Sequence, residues 1–112
     1  MNARFHKINT SEELENLFQK SFDAPVVLFK HSLTCPISAG VHEEVSQADA
    51  EINLVIVQTA RNISNVIAEQ TGIRHESPQA IVLKDGKAVY HASHYDITAE
   101  EISEKLKVKS EK

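Results

Sequence analysis

The stretch VVLFKHSLTCPIS, residues 26–38, decides how this chain folds. Residues 26–29 are apolar, β-branched or aromatic, with no polar alternation, which suits a strand covered on both faces. Pro25 stands just before them. A polar run, 31–34, leads to Cys35-Pro36, after which Ile37, Val41 and Val45 step by four residues along one helical face towards an expected end near Asp49. Proline is favoured at the first helical position, so Pro36 makes Cys35 the N-cap of that helix. A buried strand therefore hands the chain to a helix through a cysteine.

Upstream, Thr10 and Glu13 form a capping box, and Leu14, Leu17, Phe18 and Phe22 make one apolar face of a helix over residues 11–22. A short edge strand is expected at 5–8. Downstream, 54–57 repeats the signature of a buried strand, and 61–71, with Ile63, Val66 and Ile67 on one face, reads as a helix closed by Gly72. Beyond Ser77-Pro78, residues 80–83 form a strand, Asp85-Gly86 a two-residue hairpin turn, and 88–92 the antiparallel return. Thr98 is the N-cap of a last helix with Glu101 at N3, Ile97 and Ile102 forming a hydrophobic staple and Leu106 facing the core. Strands alternating with helices and closed by a hairpin imply an α/β fold, a central mixed sheet flanked by helices on both faces.

The 112 residues, 41% apolar and 25% charged, are read as one domain over 1–112, able to bury a core without a metal or disulfide staple. The first residues lack the basic start and apolar core of a secretory signal, and no apolar run approaches the roughly 20 residues of a membrane span. A cytoplasmic protein is expected, with no membrane partner. The net charge of −4 and scattered basic residues argue against nucleic acid. The one basic cluster, Lys105, Lys107, Lys109 and Lys112, reads as a solvated helix end.

The single cysteine has two readings. Free cysteines commonly pack as small hydrophobes. Cys35, however, lies off the apolar periodicity, between Thr34 and Pro36, where the sulfur would face the unpaired N–H groups of the first helical turn, including that of Ser38. Those dipoles favour a thiolate over a thiol. Local pattern alone leaves the choice open.

The Cys35-Pro36-Ile37-Ser38 segment stands where thioredoxin-like proteins carry CxxC, with serine in place of the second cysteine. Thr71-Gly72-Ile73-Arg74, then Ser77-Pro78, then residues 80–86 are similar to the thioredoxin pattern that passes through a cis-proline into the final hairpin. More closely, residues 31–38, with TCPIS at 34–38, resemble the YtxJ-type monothiol bacilliredoxins of the thioredoxin-like superfamily, and the likeness spans essentially the whole chain. No tryptophan precedes Cys35, and Phe29 lies where thioredoxins often bury an aspartate, so general dithiol reduction of protein disulfides is not implied.

The resemblance implies a thioredoxin-like fold and a monothiol thiol-disulfide oxidoreductase that removes bacillithiol from S-bacillithiolated client proteins. Cys35 would be the nucleophile, Thr34, Pro36, Ile37 and Ser38 the active-site motif, and bacillithiol the low-molecular-weight thiol co-substrate. A CxxS site suits that chemistry, because without a second thiol only an external one resolves the mixed disulfide. Ser38 could still hydrogen-bond the attacking sulfur through its N–H or hydroxyl. A cis Pro78 would set the Ser77 backbone across from Cys35 to pair with an extended client segment, with Gln79 shaping the same surface. Bacillithiol carries carboxylates, so a cation is expected near the sulfur, and Arg74 and Lys30 are the candidates. His31 is either a source of positive character beside the thiolate or an exposed loop histidine.

No metal or nucleotide cofactor is expected. His91 and His94, three apart in or near a strand, would point to opposite faces, and Cys35 with His42 supplies too few ligands for zinc. Two other functions stay open: a non-catalytic adaptor engaging clients through Ser77-Pro78, and an iron-sulfur binder like some monothiol glutaredoxins, whose Cys-Gly-Phe-Ser differs from the Cys-Pro-Ile-Ser here.

Overall fold

In the computed structural model, which describes residues 2–107, the elements run β1 (Arg4–Lys7), α1 (Ser11–Lys20), β2 (Val26–His31), α2 (Pro36–Val45), β3 (Glu51–Ile56), α3 (Arg61–Thr71), β4 (Gln79–Lys84), β5 (Lys87–Ser93) and α4 (Ala99–Lys107). A 3-10 turn, His94–Asp96, precedes α4. The sheet order is β1-β3-β2-β4-β5. β1 and β2 run parallel to β3, β4 runs antiparallel to β2, and β5 antiparallel to β4.

Every residue of β2 is buried, and alternation sends its side chains to two cores. Val27 and Phe29 join Val41 and Val45 of α2 and Ile102 of α4. Val26 and Leu28 join Leu14 and Leu17 of α1 and Ile63 and Ile67 of α3 on the other face. The unbroken apolar run at 26–29 thus follows from double coverage.

Local signals hold where their chemistry is local. Thr10 Oγ1 accepts the Glu13 N–H at 3.1 Å, and Glu13 Oε1 accepts the Thr10 N–H at 3.1 Å. Gly72, at φ 74°, closes α3, and its N–H donates to Ala68 C=O. Asp85 and Gly86 have φ of 56° and 78°, the left-handed pair of a type I′ hairpin turn. Glu101 N–H donates to Thr98 Oγ1 at 3.1 Å, and Ile97 and Ile102 are buried as the staple requires.

Several boundaries differ from the periodicity. Helix α1 stops at Lys20, and Phe22 is 55% exposed beside Gly86 instead of extending the helical face. The cause is Ser21, whose hydroxyl donates to Phe18 C=O and accepts the Gly86 N–H, while its C=O accepts the Asp85 N–H. Helix α2 ends at Val45, short of Asp49, because Ser46 Oγ donates to Glu43 C=O and the chain turns through buried Ala48 and Ala50 into β3. Strand β3 therefore begins at Glu51 and includes Asn53, whose amide donates to Val27 C=O at 3.0 Å. The edge strand is Arg4–Lys7 rather than 5–8.

Of the basic cluster, Lys105 is not merely solvated, since its Nζ lies 5.2 Å from the Tyr90 ring centroid. Lys107 is exposed, and Lys109 and Lys112 lie outside the described residues. No helix among the described residues is long and apolar enough to cross a membrane.

Candidate active site

Strand β2 delivers the chain to a loop, 32–35, at the end of the sheet where β4 begins, because the antiparallel register sets Lys30 opposite Gln79. Cys35, the only cysteine, and Pro78, which precedes Gln79, therefore lie at the same end of the sheet. This end carries the site.

Cys35 is the N-cap of α2, with φ −102° and ψ 120°, and Pro36 opens the helix. The residue is partly exposed. The expected hydrogen bond from the first turn to the sulfur is absent: no side-chain cap bond forms. Ser38 does not turn its hydroxyl to the sulfur either. It is fully buried, with Oγ accepting the Ser32 N–H at 3.0 Å and lying 2.7 Å from His31 Nδ1. The hydroxyl secures the base of the cysteine loop because the buried Ser32 N–H needs an acceptor.

Gln58, just beyond β3, braces the same loop. Its Oε1 accepts the Leu33 N–H at 3.0 Å, and its Nε2 donates to Ser32 Oγ at 2.9 Å and to Thr34 Oγ1 at 3.3 Å. Thr34 and Pro36 are exposed, while Ile37 packs partly against the core. Leu33 is an exposed apolar side chain on the cysteine loop.

His31 is neither an exposed loop residue nor a cation. It is buried, stacked with Phe29 at 5.9 Å between ring centroids and 4.8 Å from the His42 ring. Burial, then the charge of His42, lowers its pKa and favours the neutral imidazole, so positive character from His31 is not available near neutral pH. Burial lowers His42 as well, against the opposing pull of Glu43, and His42 stacks on Phe5 at 4.5 Å.

The Ser77-Pro78 bond is cis, as the resemblance implied. Pro78 C=O accepts the His94 N–H at 3.0 Å, tying the proline to the 3-10 turn. Ser77 Oγ and Gln79 Oε1 are buried and have no hydrogen-bond partner among the described residues. Arg74 is exposed. It helps hold the Glu76 carboxyl below its ordinary range, after the hydrogen bond with Ser93 and the charge of His94, and together with His91. His91 and His94 both act on that carboxylate, His94 from the 3-10 turn beyond β5, at φ 55°.

Lys30 is not a surface cation. Its side chain is 0% exposed, and its Nζ donates to His75 Nδ1 at 3.1 Å. Burial lowers its pKa to about 8. That position withdraws Lys30 from direct contact with a ligand arriving from solvent.

Sequence reasoning missed the roles of Gln58, His42, His75 and Ser64, whose Oγ lies 3.1 Å from His75 Nδ1. Gln58 alone left a usable signal, a polar residue just past the carboxyl end of a parallel strand, where α/β sheets collect functional groups. Among the described residues no group of three or more His, Cys, Asp or Glu side chains could hold a metal ion.

Comparison with known proteins agrees with this architecture. The family model for monothiol bacilliredoxin BrxC matches residues 6–102. A solved protein described as a candidate oxidoreductase with a thioredoxin fold is 31% identical, covering 89% of this chain and 91% of its own, at a TM-score of 0.81. A mutant thioredoxin from Halobacterium salinarum is 15% identical over 97% of this chain and 93% of its own, at a TM-score of 0.71. Thioredoxin from Schistosoma mansoni is 15% identical over 93% and 94%, at a TM-score of 0.70. These two thioredoxins bear on the fold alone, which is the thioredoxin fold.

Proposed function

The chain belongs to the monothiol bacilliredoxin family of thioredoxin-like thiol-disulfide oxidoreductases, and from that premise we propose that it removes bacillithiol from S-bacillithiolated proteins through Cys35. The observation that carries the reading is the pairing of one cysteine, partly exposed at a helix N-terminus, with a serine, Ser38, committed to the loop beneath it.

The chemistry follows from that arrangement. The Cys35 thiolate attacks the bacillithiol sulfur of the client's mixed disulfide, the old S–S bond breaks, and the client leaves as a thiolate that takes a proton from water. Cys35 is then itself bacillithiolated. No second cysteine stands in this chain to attack it, so an external thiol forms the next disulfide and releases Cys35 as thiolate. Pro36 fixes the helix start, Thr34 and Ile37 frame the thiol, and the Ser77-Pro78 edge receives the extended client segment by strand addition. Arg74, exposed on the proline loop, is the cation proposed to meet the carboxylates of the small thiol. The reducing cytosol is the compartment in which such a thiol stays available.

The test is incubation of the reduced protein with a bacillithiolated client and, in parallel, a glutathionylated one, followed by intact mass. Release of the client thiol with a bacillithiol adduct on Cys35, preferred over glutathione and abolished by Cys35→Ser, is expected. Equal transfer from both would reassign the small thiol. No transfer from either would end the enzymatic reading and leave the non-catalytic adaptor.

A further inference from the structure

Lys30 is an expensive choice for its position. Val26 and Leu28, on the same face of β2, are core residues, and an apolar side chain at 30 would continue that face. The structure instead buries an amine whose partner is an imidazole rather than a carboxylate. A buried charge without an opposite charge destabilises the fold, so stability does not account for it.

Directly opposite in the β2–β4 register stands Gln79, 1% exposed, another buried polar side chain at this end of the core. The two grip consecutive residues of the loop that carries the proline. Lys30 Nζ donates to His75 Nδ1 at 3.1 Å, and Gln79 Nε2 donates to Arg74 C=O at 3.0 Å. Ser64 of α3 reaches the same His75 Nδ1 at 3.1 Å. A charged lysine can only donate, so Nδ1 is the acceptor, the Ser64 hydroxyl donates to it as well, and the imidazole proton sits on Nε2. Sheet and helix thus converge on residues 74 and 75, just ahead of the Ser77-Pro78 bond, while the His94 N–H holds Pro78 from the far side.

We infer that Lys30, Ser64 and Gln79 are positioning residues which, acting through His75 and Arg74, hold the Ser77-Pro78 edge in the geometry that receives the client. The inference rests on the client-binding reading above. None of the three touches the reacting sulfurs. Strand addition uses the backbone N–H and C=O groups of the edge, and an edge already held in place spares the client the ordering entropy of binding. Releasing the clasp therefore weakens client binding and leaves the thiol's own reactivity alone.

The experiment compares wild type with His75→Ala, which removes an exposed side chain, and with Lys30→Met, which fills the buried site with an apolar residue of similar length. Three quantities are read: KM and kcat for reduction of a bacillithiolated client protein, the rate of Cys35 alkylation by iodoacetamide, and hydrogen exchange of amides 74–77. A rise of about tenfold in KM, with kcat and alkylation nearly unchanged, is the signature of lost binding that is common to ground and transition states. Faster exchange confined to 74–77 should accompany it. Unchanged KM with unchanged loop exchange overturns the clasp, as does alkylation slowed in proportion to turnover, which would signal a general disturbance. If wild type does not reduce the client at all, the proposed function fails, and loop exchange in His75→Ala still decides the clasp.

Discussion

Ser38 Oγ lies 2.7 Å from His31 Nδ1 and accepts the Ser32 N–H, so the serine three residues after Cys35 faces inward to the cysteine loop. Ser38→Ala leaves the Ser32 N–H and the imidazole nitrogen without that partner in a buried setting. A loss of roughly 2 kcal/mol is expected, read from urea unfolding with an unchanged m-value. Ser38→Cys supplies an internal thiol, so the Cys35 adduct should give way, in intact mass spectra, to a disulfide between Cys35 and the introduced thiol.

Acid should weaken the fold through the histidines beneath the site. His31, His42 and His75 all titrate below the ordinary value in the folded chain, chiefly because the surrounding protein partly desolvates each ring. From about pH 6.5 down to the folded values, the unfolded chain binds more protons than the folded one, so stability falls as pH falls. His42→Phe keeps an aromatic ring against Phe5 and removes one of the three groups. Its unfolding free energy should change less between pH 7 and 5 than that of wild type, and an identical slope would rule out His42 as a contributor.

Lys30 acts in the opposite range. Its folded pKa is about 8 because of burial, against 10.5 ordinarily. Between those values the unfolded chain holds a proton that the folded chain lacks, so stability rises with pH, by on the order of 3 kcal/mol if the full interval is realised. Tyr90, raised by burial and by Glu101 and Asp96, works against this only above about pH 10. Urea unfolding between pH 7.5 and 10 should show the rise in wild type and a flat profile in Lys30→Met.

Gly86→Ala should destabilise the hairpin by about 1 kcal/mol or more, since φ is 78° there and a side chain in left-handed backbone is strained. The new Cβ would also fall 2.7 Å from Phe22 Cζ. Phe22→Ala relieves that contact and not the backbone, so the double variant should recover only part of the loss in thermal unfolding.

Much of the fold was legible because its signals are local. The capping box at Thr10 and Glu13, the left-handed Gly72, the Asp85-Gly86 turn and the staple at Ile97 and Ile102 each bring together residues within a few positions, so side-chain chemistry and backbone geometry decide them together. The buried run at 26–29 and the proline after Cys35 similarly marked the strand-to-helix junction that carries the thiol. Helix α1 stopped short of its periodicity because a distant partner intervened, with Ser21 leaving the helix for the turn at Gly86.

The surroundings of the thiol were a different matter. Lys30 reads on paper as a cation for solvent and Ser38 as a partner for the sulfur, and nothing near them in the sequence points to Gln58 or His75. Lys30 and His75 are 45 positions apart, and Gln58 and Ser32 are 26 apart. Which polar side chain is buried, and against what, depends on strand order and register, and these are set by how two cores close around β2. The sequence by itself determined the strand-to-helix junction, the lone thiol and the proline edge, because proline, glycine and capping chemistry act over a turn or less. The inward serine, the neutral histidine pair and the grip on the proline loop were decided only when the sheet brought remote polar groups into a water-poor interior, where each needs a partner.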